Sequence, residues 1–294
     1  MQYIFLNLKR FDIPKELDGV NSIAPIKEWS KYIIENTQEK LKQLNGNDVE
    51  FAMFFPEAHL IGAANAKNEN SPIKIGCQSV FRDDTAVGGN FGAFTSNRTA
   101  NSVKAMGCDY TIIGHCEERR DKLGIMQEAG VSDTDAVNRL LNKEVICAIN
   151  SGLKVLYCIG ETSDEQENWK EVLRKQFKIG LEGVDLSKVV IAYEPVWAIG
   201  PGKTPPSKEY IQKIANFIKE ETNGLPVVYG GGLKSDNAKM LSSIHEIDGG
   251  LIALTRFSGE IGFYPDEYLE IINEYLGCQL DKNNNYINLV NSRR

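Results

Sequence analysis

The chain has 294 residues, enough to bury one barrel-sized core or two small ones, and 42% of them are hydrophobic, as in an ordinary globular protein. Its 33 basic residues against 40 acidic ones give a net charge of −7, which argues against a general nucleic-acid binder and requires local cations to hold any anionic ligand. No apolar run approaches a membrane span, and Met1–Leu8 lacks the basic region and cleavage site of a signal peptide, so a cytoplasmic protein with no membrane partner is expected. Six cysteines (Cys77, Cys108, Cys116, Cys147, Cys158, Cys278) have no CxxC spacing, so reduced thiols are expected rather than zinc or disulfides.

In chain order, apolar β-rich runs occur at Tyr3–Leu6, Phe51–Phe55, Ile73–Gly76, Tyr110–Ile113, Val155–Ile159, Val189–Tyr193, Pro226–Tyr229 and Gly250–Ala253. Continuous apolar runs suit strands buried on both faces of a parallel sheet. Helical patterns lie between them: Val137, Leu140, Leu141, Val145 and Ala148 share one face, as do Trp169, Val172, Leu173 and Phe177, and Tyr210, Ile214, Phe217 and Ile218. Ser132–Asp135 reads as a capping box opening the first of these helices. Eight strand–helix alternations indicate an α/β protein, a (β/α)8 barrel in a single domain over residues 1–279. Periodicity alone leaves a doubly wound open sheet as an alternative. A glycine-rich loop, Ser79–Gly92, and a polar, asparagine-rich tail, residues 280–294, exceed a minimal barrel, and the tail reads as irregular.

In a barrel the reactive groups sit at the C-terminal strand ends. The first strand ends in Asn7-Leu8-Lys9, the fourth in Gly114-His115-Cys116-Glu117, the sixth in Glu194 and the seventh in Gly230-Gly231-Gly232. Each has a bland reading by itself: a solvated lysine, a hydrogen-bonded core histidine, a structural carboxylate, a tight glycine turn. Glu194, however, precedes a segment that starts at Pro195 and contains Gly200 and Gly202, which suits a proton-abstracting base under a moving lid. Together a base, an imidazole, a cation and a backbone nest are the parts needed to enolise a phosphorylated carbonyl compound.

The run VVIAYEPVWAIGPGK, Val189–Lys203, resembles the catalytic-glutamate strand and lid of the triosephosphate isomerase family, with Pro201 where threonine is usual. Asn7-Leu8-Lys9 resembles the family's N-W-K, Tyr110–Arg120 its histidine segment IIGHSERR, Gly152–Thr162 its fifth-strand signature, and Gly92–Thr95 the loop that reaches into a dimer partner. The resemblance runs from about Tyr3 to Leu276. It implies a homodimer, with Thr95 in the interface loop, and an isomerase of glycolysis and gluconeogenesis that acts on a small phosphorylated sugar without metal or organic cofactor. It further implies that Glu194 is the base, that neutral His115 polarises the carbonyl, that Lys9 and Asn7 stabilise the enediolate, and that Glu117 pairs with Lys9. Gly200, Gly231 and Gly232 would contact substrate.

Several positions depart from the family. Gly232 replaces the phosphate-holding serine after strand 7, and Ala253-Leu254 replaces the phosphate-gripping Gly-Gly pair after strand 8. Side chains there are expected to crowd the anion, with Arg256 as the substitute anchor. Cys116 replaces a serine that donates to the base, which leaves the resting position of Glu194 open. One extra glutamate leaves the match of Glu118, Arg119 and Arg120 ambiguous. These departures keep a different substrate, such as a tetrulose phosphate, as an alternative to glyceraldehyde 3-phosphate and dihydroxyacetone phosphate. A barrel that binds without catalysis ranks behind both, because it has no need of Asn7, Lys9, His115 and Glu194. A Schiff-base aldolase ranks lower still, since the sixth strand end holds Glu194 instead of a lysine.

Overall fold

Eight parallel strands close on themselves: β1 (Gln2–Asn7), β2 (Val49–Phe55), β3 (Ile73–Cys77), β4 (Tyr110–Ile113), β5 (Lys154–Ile159), β6 (Val189–Tyr193), β7 (Val227–Tyr229) and β8 (Gly249–Ile252). The computed structural model describes residues 1–44, 48–200 and 202–277; Pro201, Cys278 and the polar tail lie outside the described residues. Spatial order equals chain order, and β8 closes on β1 with Tyr3 opposite Gly249. A Cβ at Gly249 would run into the Tyr3 backbone, so glycine is what lets this seam close. Closure removes the doubly wound alternative and leaves no sheet edge.

Helices α1 (Trp29–Leu44), α2 (Leu60–Ala66), α3 (Ala100–Ala105), α4 (Cys116–Glu128), α5 (Thr134–Asn150), α6 (Trp169–Gly180), α7 (Lys208–Glu221), α8 (Ser235–Ser242) and α9 (265–277) surround the barrel. The apolar faces read from the sequence are the buried ones: Val137, Leu141, Val145 and Ala148 on α5, and Trp169, Leu173 and Phe177 on α6. The cap of α5 differs from expectation. Asp133, not Ser132, is the N-cap, and its carboxylate accepts the Ala136 N–H at 2.9 Å. Asp133 takes the extended backbone that an N-cap requires, so the helix starts one residue later.

Two cores result from the period of two along each strand. Outward residues pack under the helices. Inward residues Phe5, Ala52, Phe54, Tyr110, Ile112, Leu156, Cys158, Val190, Ala192, Val228 and Leu251 fill the barrel. Phe5, Phe54 and Tyr110 meet there with ring centroids 5.4–6.2 Å apart, near-perpendicular or tilted. Continuing the same alternation one step beyond the filled layers brings Asn7 from β1, Glu194 from β6 and Ala253 from β8 to the C-terminal mouth. The strand period therefore aims these residues at one point.

Candidate active site

Glu194 follows Val190 and Ala192 on the inward face of β6 and is only 2% exposed. Its Oε2 accepts the Cys116 backbone N–H at 2.9 Å. Its Oε1 has no hydrogen-bond partner and lies 3.2 Å from His115 Nε2. Burial pushes the carboxyl above its ordinary range, against the opposing pull of His115, the Cys116 N–H, Lys9 and Arg119. Space for it comes from glycines. A Cβ on Gly230 would stand 2.8 Å from Glu194 Cγ, and one on Gly160 would strike the Glu194 carbonyl.

His115 is the N-cap of α4. Its Nδ1 accepts the Glu117 N–H at 3.3 Å. That bond needs a lone pair on Nδ1, which leaves the hydrogen of the neutral ring on Nε2, the nitrogen facing Glu194. The Cys116 thiol lies 3.8 Å from His115 Nδ1 and is pushed up to about 12, first by burial and then by Glu194. The main chain of Cys116 thus holds the Glu194 carboxylate without help from a side-chain hydroxyl. The ligand atoms of His115, Cys116 and Glu194 also lie within 4.8 Å of one another, with Glu194 Oε2 and His115 Nδ1 engaged by the start of α4.

Lys9 carries the cation. Its φ is +39°, a backbone conformation rare outside glycine and often found at functional sites. Two side chains brace it. Asn7 Oδ1 accepts the Lys9 N–H at 3.1 Å, and Gln78 donates to the Lys9 carbonyl at 2.9 Å. Lys9 Nζ pairs with Glu117 Oε1 at 2.7 Å, the pair the resemblance implied. Gln78 went unread in the sequence, although it directly follows β3 and so stands at a strand end. The ambiguous stretch after Glu117 separates cleanly. Glu118 accepts the Gly114 N–H at 2.7 Å, and Arg119 donates to the carbonyls of Gly114 at 2.7 Å and Cys158 at 2.8 Å. Both brace the turn that presents His115.

A fully buried carboxylate ties down the lid. Glu161 follows β5, and its Oε1 accepts from Tyr193 Oη at 2.9 Å, Trp197 Nε1 at 2.8 Å and Tyr210 Oη at 3.0 Å. Trp197 lies in the first turn of the lid and Tyr210 in the first turn of α7, so one oxygen clasps both ends of the loop. Burial raises the Glu161 carboxyl, and the three donors pull it back. Its signal in the sequence, a carboxylate at a strand end, was present but was not singled out.

A cavity of about 1630 Å³ opens at this end of the barrel. Asn7, Lys9, His115, Cys116, Glu117 and Glu194 line it, as do Gly200, Gly231, Gly232, Ala253 and Leu254. Arg256 does not. Its guanidinium is paired with Glu267, with Nε 2.8 Å from Oε1, and lies 4.0 Å over the Tyr264 ring. The phosphate anchor expected at Arg256 is therefore corrected: the antiparallel bridge of Arg256 with Gly262 makes it the root of a hairpin. Lys234, unread in the sequence, lines the cavity instead. Thr95 is exposed in the loop before α3, away from the cavity lining of its own chain.

The sequence model of the family described as "Triosephosphate isomerase" matches residues 26–274. A triosephosphate isomerase of Geobacter metallireducens is 40% identical over 239 residues, covering 77% of this chain and 85% of that one. One from Chloroherpeton thalassium is 35% identical over 218 residues, covering 69% and 77%. The crystal structure of triosephosphate isomerase from Bartonella henselae superposes with a TM-score of 0.68 at 24% identity, covering 93% of this chain and 98% of that one, a likeness of fold. A match over most of the sequence, joined to an eight-stranded closed barrel, identifies this chain as a member of the triosephosphate isomerase family.

Proposed function

We propose that this site interconverts glyceraldehyde 3-phosphate and dihydroxyacetone phosphate through an enediolate, with Glu194 as the base. The observation that carries the assignment is the pairing of a buried carboxylate oxygen without a hydrogen-bond partner and a histidine Nε2 3.2 Å away. Substrate enters between them. Glu194 takes a proton from the carbon beside the carbonyl, and its raised pKa suits a group that must both accept and return that proton. The His115 Nε2–H polarises the carbonyl oxygen and passes its proton between the two oxygens. Lys9 offsets the negative charge that develops on them, and Asn7 donates at the same edge. A glutamate base with a neutral histidine at a helix N-terminus is the known division of labour in triosephosphate isomerases. In this chain the Cys116 main-chain N–H holds that base, and Glu161 clasps the lid.

The test is turnover of glyceraldehyde 3-phosphate coupled to NADH oxidation. Glu194→Gln keeps the shape and loses the base, and kcat is expected to fall by at least about 10²–10⁴-fold. Retention of most activity by that variant would remove Glu194 from the mechanism. Assay of a four-carbon ketose phosphate beside the triose tests the second reading, which the altered positions Gly232, Ala253 and Leu254 keep in play.

The family resemblance and the exposed loop before α3 support a homodimer, in which Thr95 approaches the partner's site. The five described cysteines are free, and a cytoplasmic setting is proposed from the family resemblance. No helix among the described residues is long and apolar enough to cross a membrane.

A further inference from the structure

Barrels of this kind bind phosphate at the loops after strands 7 and 8. In this chain those loops lack a hydroxyl at Gly232, carry side chains at Ala253 and Leu254, and have Arg256 committed to Glu267. The other cations on the cavity wall lie at other strand ends or are paired: Arg120 stands on α4, on the Glu117 and Cys116 side of the cavity. Lys9 is paired with Glu117, and Lys175 lies 3.6 Å from Asp135. Arg119 donates to backbone carbonyls and to Asn138, and Lys203 rides on the lid.

Lys234 differs from all of these. It stands at the N-cap of α8, directly after the Gly231-Gly232-Leu233 turn. Asn237 locks the turn, accepting the Lys234 N–H at 2.8 Å and donating to the Gly232 carbonyl at 2.9 Å. The lysine stem folds back over the turn, with Cε 3.4 Å from the point where a Cβ on Gly232 would sit. Gly232 has φ +97°, so a serine there would be strained, and its Cβ would touch this stem. The lysine stem thus borders the position that a side chain at 232 would take. The Lys234 ammonium sits 4.1 Å from the centroid of the Phe257 ring, and no ion pair engages it among the described residues.

Phe257 is half-exposed and belongs to the hairpin after β8. Thr255 donates to Glu267 Oε2 at 2.9 Å, and Arg256 pairs with Oε1 of the same carboxylate. These bonds fix the root of the hairpin, and the hairpin supports the ring. Seating an ammonium on one face of a ring restricts the lysine without neutralising it, and its remaining N–H groups stay available to an anion.

We propose that Lys234, seated on Phe257, is the cation that grips the substrate's phosphate group in this chain, in place of the serine hydroxyl and the close glycine backbone. The proposal rests on the reading of the site as an isomerase of phosphorylated trioses. Arg256 then acts at a distance, as a brace of the platform.

The experiment compares Lys234→Met, Lys234→Arg and Phe257→Leu with the unmodified protein on glyceraldehyde 3-phosphate and on unphosphorylated glyceraldehyde, with inorganic phosphate as competitive inhibitor. One charge-assisted contact corresponds to roughly 10- to 100-fold in binding. Lys234→Met is expected to lose about that factor in kcat/KM for the phosphorylated substrate, chiefly through KM, and to weaken phosphate inhibition in parallel. Turnover of glyceraldehyde should stay unchanged, which also reports an intact fold. Lys234→Arg should recover most of the loss, and Phe257→Leu should fall between. Unchanged KM and phosphate inhibition in Lys234→Met, or equal losses on both substrates, would overturn the proposal. Failure of the unmodified protein to turn over the triose phosphate would instead overturn the isomerase reading. Calorimetric titration with inorganic phosphate, unmodified protein against Lys234→Met, then decides the anion site by itself.

Discussion

At the scale of single residues, the site sets a buried carboxylate against the stability of the fold. Burial disfavours charge on Glu194, and its folded-state pKa lies above the ordinary value of 4.5. A carboxyl whose pKa is raised by folding costs stability at pH above the raised value, and the cost disappears as pH falls below the unfolded value. Glu194→Gln removes the charge and keeps the shape. The variant should therefore melt at a higher temperature than the unmodified protein near pH 8, and the gap should close on going down toward pH 4. Calorimetric melts across that range check the sign, and a gap that widens toward acid pH would contradict the raised pKa. The same variant loses activity, which is the expected trade between a strained site and a stable fold. Lys9, with its left-handed backbone braced by Asn7 and Gln78, is a second local cost carried by the catalytic end.

At the scale of elements, the lid is governed by β5, β6 and α7 together. Tyr193, Trp197 and Tyr210 all donate to one buried oxygen of Glu161, and Trp197 and Tyr210 meet edge to face at 5.7 Å. Tyr210→Phe deletes one donor while two remain. A hydrogen bond to a charged acceptor contributes about 1.5–3 kcal/mol, so the unfolding free energy should drop by that order and the urea midpoint by that amount divided by m. Because Tyr210 lies just beyond the lid, the variant should also loosen the loop, read as faster amide exchange over residues 196–206. Protection unchanged from the unmodified protein would mean that Tyr193 and Trp197 hold the lid alone. α4 shows a related economy. It buries no residue, and its function lies at its first turn, where His115 caps it and Cys116 holds the base.

At the scale of the whole molecule, the loop before α3 stands out from the barrel. Its base is fixed by Arg98 donating to the Ser79 carbonyl at 2.7 Å and by the Phe81 and Phe94 rings at 5.8 Å. Its tip exposes Val87 and Phe91, the latter 92% exposed. Large apolar side chains on a fixed loop suit an interface between two copies of the chain, as the family resemblance implies. Sedimentation should give about twice the chain mass, and Phe91→Asp should shift it toward the monomer with a parallel fall in kcat. A monomeric unmodified protein with full activity would remove the dimer from the account. The net charge of −7 also acts at this scale, since an anionic substrate must be drawn in by the cluster of Lys9, Lys203 and Lys234 against the global field.

Reading the residues in order is sufficient for the strands, because each buried strand is an apolar run bounded by polar or turn residues, and it puts Asn7, Lys9, His115 and Glu194 at strand ends, which the barrel gathers around one cavity. The period of two then aims Asn7 and Glu194 at the mouth. Other features required the folded chain. Cys116 and Glu194 are 78 residues apart, and whether a thiol or an N–H reaches the base depends on how the fourth and sixth strand ends face each other. Arg256 looked free in the sequence and is bound by Glu267, eleven positions on, where the hairpin turns back. Lys234 looked like an ordinary helix-start lysine until Phe257 came beneath it. Local pattern determines which groups stand at the strand ends, since strand period and burial are properties of short segments. Partnership among those groups is decided by closure of the barrel and the packing of its loops, which join segments that the sequence keeps apart.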